Sequence, residues 1–152
     1  MNRVKITDNF YLDEFIPPEI YSVRGALSIE LLDIRVIAGV QFLREKAEAK
    51  YGSGVSFTVN NWYNKGTRHE SGLRLPNTRT GAKWSQHKYG RAVDIVPKGL
   101  SVAQLFTIVK ENERYLVDSG FITTVENIAF TKTWLHVDCR YTGLDNLRIV
   151  NP

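Results

Sequence analysis

The chain holds one cysteine, Cys139, so no internal disulfide and no redox pair can form. One thiol is also too few for a closed structural zinc site built from cysteine. No stretch approaches the ~20 apolar residues of a membrane span, and the opening Met1-Asn2-Arg3-Val4-Lys5-Ile6-Thr7-Asp8 lacks the apolar centre of an export signal. Internal repeats, low-complexity tracts and linkers are missing too. Charge is not strongly one-sided: 20 basic residues stand against 16 acidic ones, scattered along the chain, for a net charge of +4. This fits a mildly basic solvated surface better than a dedicated polyanion site. Nucleic acid is further disfavoured because no helix-turn-helix or RNA-binding signature is present. A length of 152 residues with 43% hydrophobic content then describes one ordinary globular domain, expected as a monomer.

In chain order, residues 1–27 read as an extended lead-in anchored by Phe10, Tyr11, Leu12, Phe15 and Ile16, with Pro17-Pro18 excluding a long helix. Ser28 is placed to cap a helix running to about Tyr51. Leu32, Val36, Val40, Leu43 and Ala47 form its apolar stripe, and Gly52 stops it. Val55 to Val59 alternates as a strand. The stretch from Asn60 to Lys83 is longer than a simple connection and mixes Asn61, Trp62, Tyr63, Arg68, His69 and Arg74, so it is expected either to border a substrate site or to form a mobile hairpin. His69, without a spaced partner, reads as exposed. Ser101 and Gln104 fit a capping box before a second helix, which carries Leu105, Phe106, Val109 and Leu116 and ends at Gly120. Phe121 to Val125 and Trp134 to Cys139 read as strands, and the tail after Tyr141 as irregular. The sum is an α+β domain with a small antiparallel sheet.

The chemistry concentrates in Trp84 to Pro97. Ser85-Gln86-His87 reads as the end of an extended segment, Lys88-Tyr89-Gly90 as a bend, and Ala92 to Val96 as a short buried strand stopped by Pro97. Asp94 in such an apolar run is costly to bury unless a cation compensates it. The bend brings His87 back within reach of a shared ion. In the second segment Trp134, His136 and Asp138 share one strand face, with Leu135, Val137 and Cys139 on the other. Cys139 is therefore expected as a buried structural thiol. If the two strands pair, His136 completes a set of two imidazoles and one carboxylate. That donor set suits Zn²⁺ better than magnesium or calcium, and three protein ligands leave a fourth tetrahedral position for water.

The pattern Ser85-x-His87-x-x-Gly90-x-Ala92-x-Asp94, followed by Trp134-x-His136-x-Asp138, resembles the signature of the zinc D-Ala-D-Ala carboxypeptidase and L,D-endopeptidase family, most closely its small phage-encoded members. Tyr11-Leu12-Asp13-Glu14-Phe15 and Ser71-Gly72-Leu73-Arg74 also resemble family positions. The resemblance implies a Hedgehog/DD-peptidase-like fold, zinc held by His87, Asp94 and His136, and hydrolysis of amide bonds in peptidoglycan peptides. It also implies a phage-borne protein that is made in the cytoplasm and acts on the cell wall after release or as part of a virion. Arg74 matches an arginine that binds substrate or stabilises an oxyanion, a task Arg68 or Arg79 can equally perform. Ser85 is expected to orient the site by a hydrogen bond or to cap the turn.

The chain departs from the family in one respect. Relatives carry an acid or histidine two or three residues before the last zinc histidine, where this sequence has Trp134 and Thr133. Asp138 is the first substitute for the general base and Glu126 the second. The same departure leaves open a zinc-binding virion or wall-binding module with little or no catalysis.

Overall fold

A computed structural model describes residues 3–152 as a mixed α+β domain. Its centre is a five-stranded sheet in the order β1-β2-β4-β3-β5. The strands are β1 (Ser56–Thr58), β2 (Ala92–Lys98), β3 (Thr124–Glu126), β4 (Leu135–Asp138) and β5 (Arg148–Val150). The pairings from β1 through β3 are antiparallel, as expected. β5 lies parallel to β3 and was not expected, because the tail after Tyr141 carries only three ladder residues and no alternating apolar pattern.

Paired residues share a sheet face, so the register sorts the side chains. Ala92, Asp138, Thr124 and Arg148 form one row across the sheet, while Asp94 stands opposite His136 in the next. Continuing the β3–β4 register brings Glu126 beside His136, and Glu126 itself pairs with Val150. The other face carries Val93, Ile95, Val125, Leu135 and Val137, all in the main hydrophobic core. Full burial of each such side chain contributes about 1.5–3 kcal/mol.

Helices α1 (Pro18–Arg24), α2 (Ile34–Tyr51), α3 (Val102–Glu111) and α4 (Glu113–Asp118) complete the domain. The core face of the sheet is closed by Val36, Ile37, Val40 and Leu43 of α2 and by Leu105, Ile108 and Val109 of α3. Three expectations shift. The lead-in is not extended throughout: Pro18 opens the short helix α1, since its missing N–H and fixed φ suit the first helical position, and no long helix forms there. Residues Gly25–Leu31 wind as a 3-10 helix, and α2 starts only at Ile34, where the Asp33 side chain accepts from the Arg35 amide. The capping box of Ser101 and Gln104 forms as read, but the helix breaks at Asn112 into α3 and α4.

Residues 12–21 pack against the long loop. The Leu73 amide donates to the Phe15 carbonyl at 2.7 Å and the Asn60 amide to the Glu14 carbonyl at 3.0 Å. Leu12, Ile16, Tyr21 and Leu73 form a second small core beneath the long loop. Trp62 belongs to this buttress: its indole N–H donates to the Ile16 carbonyl and its ring packs edge-on against Tyr21 and Tyr63. No described helix is long and apolar enough to cross a membrane.

Candidate metal centre

His87 comes from a 3-10 turn, Gln86–Tyr89, rather than from the end of an extended segment. Gly90 closes that turn at φ 65°, and a Cβ there would lie 2.0 Å from the Leu31 carbonyl oxygen, so the tight return into β2 requires glycine. β2 then presents Asp94, and β4 presents His136 directly opposite. The described chain thus gathers His87, Asp94 and His136 into one buried group, with ligand atoms all within 4.8 Å of one another.

The three atoms that converge are His87 Nε2, Asp94 Oδ1 and His136 Nδ1. Their separations are 3.1 Å between the nitrogens, 2.8 Å from His136 to Asp94 and 3.2 Å from His87 to Asp94. Tetrahedral ligands at the usual zinc bond lengths lie about 3.3 Å apart, so the triangle is close to the size of such a site.

Each of the three side chains is held from behind. His87 Nδ1 lies 2.8 Å from the Gly72 carbonyl oxygen, which can only accept, so that nitrogen carries the proton and Nε2 offers a lone pair. His136 Nε2 faces Asp138 Oδ2 at 3.3 Å and Nδ1 faces Asp94 Oδ1 at 2.8 Å; both oxygens only accept, so the ring holds a proton on each nitrogen, and Nδ1 is the one that would give its proton up to a metal. The second oxygen of Asp94 accepts from Arg74 Nη2 at 2.9 Å. Three lone pairs aimed at one point repel unless a cation lies between them, and a metal ion or a proton on His136 meets that need.

The electrostatics agree. Burial works against the charged form of Asp94, but hydrogen bonds to His136 and His87 outweigh it and lower its pKa. Burial also opposes the His136 imidazolium, yet Asp138 and then Asp94 overcome this and raise its pKa to about 9. At His87 burial wins, and the ring is held below the ordinary histidine range. Cys139 is fully buried beyond the site, with burial pushing its thiol up to about 12, as suits an inert core residue.

The group lies on the floor of a cleft of about 590 Å³ lined by Arg74, Trp84, Glu126, Trp134, Arg140 and Arg148 among others. A side lobe of about 280 Å³ shares Arg74, Thr80, Asp94 and Trp134 and extends to Arg68 and His69. The long loop therefore borders the cleft through Arg74 and Thr80 to Ala82, whereas Trp62 and Tyr63 sit outside its walls.

Of the two acids read as possible bases, Asp138 is wholly buried and has both oxygens engaged by Arg140. Glu126 lines the cleft, its side chain 20% exposed, with Oε1 4.0 Å from His136 Nδ1. Arg74 also donates through Nε to the Glu70 carbonyl at 2.7 Å, so two of its donor atoms are occupied within the protein. Ser85 lines the cleft, but among the described residues its hydroxyl makes neither the expected site contact nor a cap. His69 is exposed, as read, with Nδ1 near the Thr67 carbonyl. The sequence offered no signal for Arg140, Arg148 or the Gly72 carbonyl, since each reaches the site through pairing or loop closure. Comparison with known proteins finds no matching family model, and no significant match among curated proteins or solved structures.

Proposed function

We propose that this protein is a zinc-dependent peptidase that hydrolyses amide bonds in peptidoglycan peptides. On this reading it is a small phage-encoded member of the zinc D-Ala-D-Ala carboxypeptidase and L,D-endopeptidase family, with that family's fold, reaching the cell wall after release or within a virion. The observation that carries the proposal is the convergence of His87 Nε2, Asp94 Oδ1 and His136 Nδ1 beneath an open cleft, each backed by a fixed partner. Two nitrogens and one anionic oxygen suit zinc. When bound, the ion supplies Lewis acidity toward water and a scissile carbonyl.

The protein's own groups supply the rest. Glu126, at the cleft wall beside His136, takes a proton from water and passes it to the leaving amine. Asp138 keeps His136 in the tautomer that ligates through Nδ1, and Arg140 holds Asp138 in place. Arg74 fixes Asp94 so that only one of its oxygens faces the ion.

The test is release of free amines from purified peptidoglycan, abolished by a chelator and restored by zinc. Glu126→Gln should retain the metal and lose about 10²–10⁴-fold in rate. A second reading, a zinc-binding virion or wall-binding module, is favoured by Thr133 and Trp134 standing where relatives carry the acid. It requires bound metal with no amine release at any pH.

A further inference from the structure

Three arginines reach the cleft, and they are not equivalent. Arg74 holds Asp94 and the Glu70 carbonyl. Arg140 holds Asp138 through Nε and Nη2. Among the described residues, the Arg148 guanidinium makes no hydrogen bond and no ion pair. Only its backbone is tied, the amide donating to the Thr123 carbonyl at 2.9 Å.

The sheet fixes where this free cation stands. Arg148 pairs with Thr124 of β3, and Thr124 pairs with Asp138 of β4, so Arg148 lies on the face that bears the ligand cluster. Two strand spacings, about 10 Å, separate its backbone from that of Asp138. From there the side chain forms part of the cleft wall together with Val150, Asn151 and Pro152. A planar fork of donors without a partner, beside a site whose own carboxylates are already engaged or committed to chemistry, matches a carboxylate brought by a ligand.

We propose that Arg148 is the specificity-determining residue that receives a carboxylate of the substrate. The proposal rests on the peptidase reading for its substrate class, a short anionic peptide. The carboxylate is either the free C-terminus of that peptide or an acidic side chain, and both present the same two oxygens to the guanidinium.

The experiment measures equilibrium binding to the zinc-loaded Glu126→Gln protein, which prevents turnover. Three probes are used: N-acetyl-D-alanyl-D-alanine, its C-terminal amide, and N-acetyl-D-glutamyl-D-alanine amide. One acidic peptide should bind about tenfold more tightly than the neutral amide, and which one does so identifies the source of the carboxylate. Adding Arg148→Gln should bring the ratio to about one, while Arg148→Lys should keep part of it. The proposal is overturned if the preference survives Arg148→Gln, or if neither acid binds better than the amide. Failure of the peptidase reading has a different signature: intact carboxylate discrimination in a protein that releases no amines from peptidoglycan.

Discussion

Asp138 has no exposed surface, yet it touches the back of the His136 imidazole on one side and a guanidinium on the other. Its charge sets both the orientation and the basicity of His136. Asp138→Asn, which keeps the shape and removes the charge, should weaken zinc affinity about 10–100-fold, read by competition with a chelating dye. Glu126→Gln should leave that affinity nearly unchanged, because Glu126 holds no ligand in place. The convergence of His87, Asp94 and His136 was legible in the sequence because an aspartate inside an apolar strand needs a cation, and strand alternation put His136 on one face. The ranking of the two acids was not. Asp138 shares the face of His136, but two residues along a strand is about 7 Å, which takes its carboxylate behind the ring. Glu126 arrives beside His136 from another strand, and single-strand periodicity carries no trace of that pairing.

Among the elements, α2 is the longest helix and backs the sheet that carries the site. Asp33 caps it and also pairs with Arg35 through both oxygens. Asp33→Ala should cost about 1 kcal/mol, a fall in Tm of about 2–4 °C for a chain of this size. The Arg35 guanidinium holds the Asp33 carboxyl below its ordinary 3.8. A folded pKa below the unfolded one means stability that is present in full above 3.8 and lost as pH falls through the folded value. The stability gap between wild type and Asp33→Ala, measured by urea unfolding across pH, should therefore be constant near neutrality and close under acid. Both Ser28 and Asp33 are competent caps, and the sequence pointed to the first. The decision came from tertiary contact, since the Asp33 amide donates to the Gly90 carbonyl at 2.9 Å and pins the start of α2 to the turn bearing His87. β5 stayed hidden for a related reason: a three-residue strand is stabilised by its neighbour and not by its own pattern.

For the whole molecule, His87, Asp94 and His136 come from a turn and two strands that meet only in the folded state, so a metal held there would be linked to folding. With free zinc a thousandfold above its dissociation constant the gain is about 4 kcal/mol. At about 2–4 °C per kcal/mol, chelation should lower Tm by roughly 8–16 °C and added zinc should restore it, followed by calorimetry. His87→Ala should lose the zinc-dependent part of Tm and bind no stoichiometric metal. The α+β class and the core were readable because they rest on hydrophobic spacing. The shape of the cleft was not, because its walls come from loop residues around Thr80 and from the β5 edge, whose positions depend on contacts distant in sequence.

On β4, His136 and Val137 are consecutive and point to opposite sides. A slip of one residue against β2 would drive the imidazole into the oily interior and strand a valine in the water-facing hollow. Correct alignment of the His87, Asp94 and His136 group and correct filling of the interior thus depend on the same register. Changes to loop length between Glu126 and Leu135 should accordingly be tolerated or lethal together for compactness and for ion capture, with nothing in between.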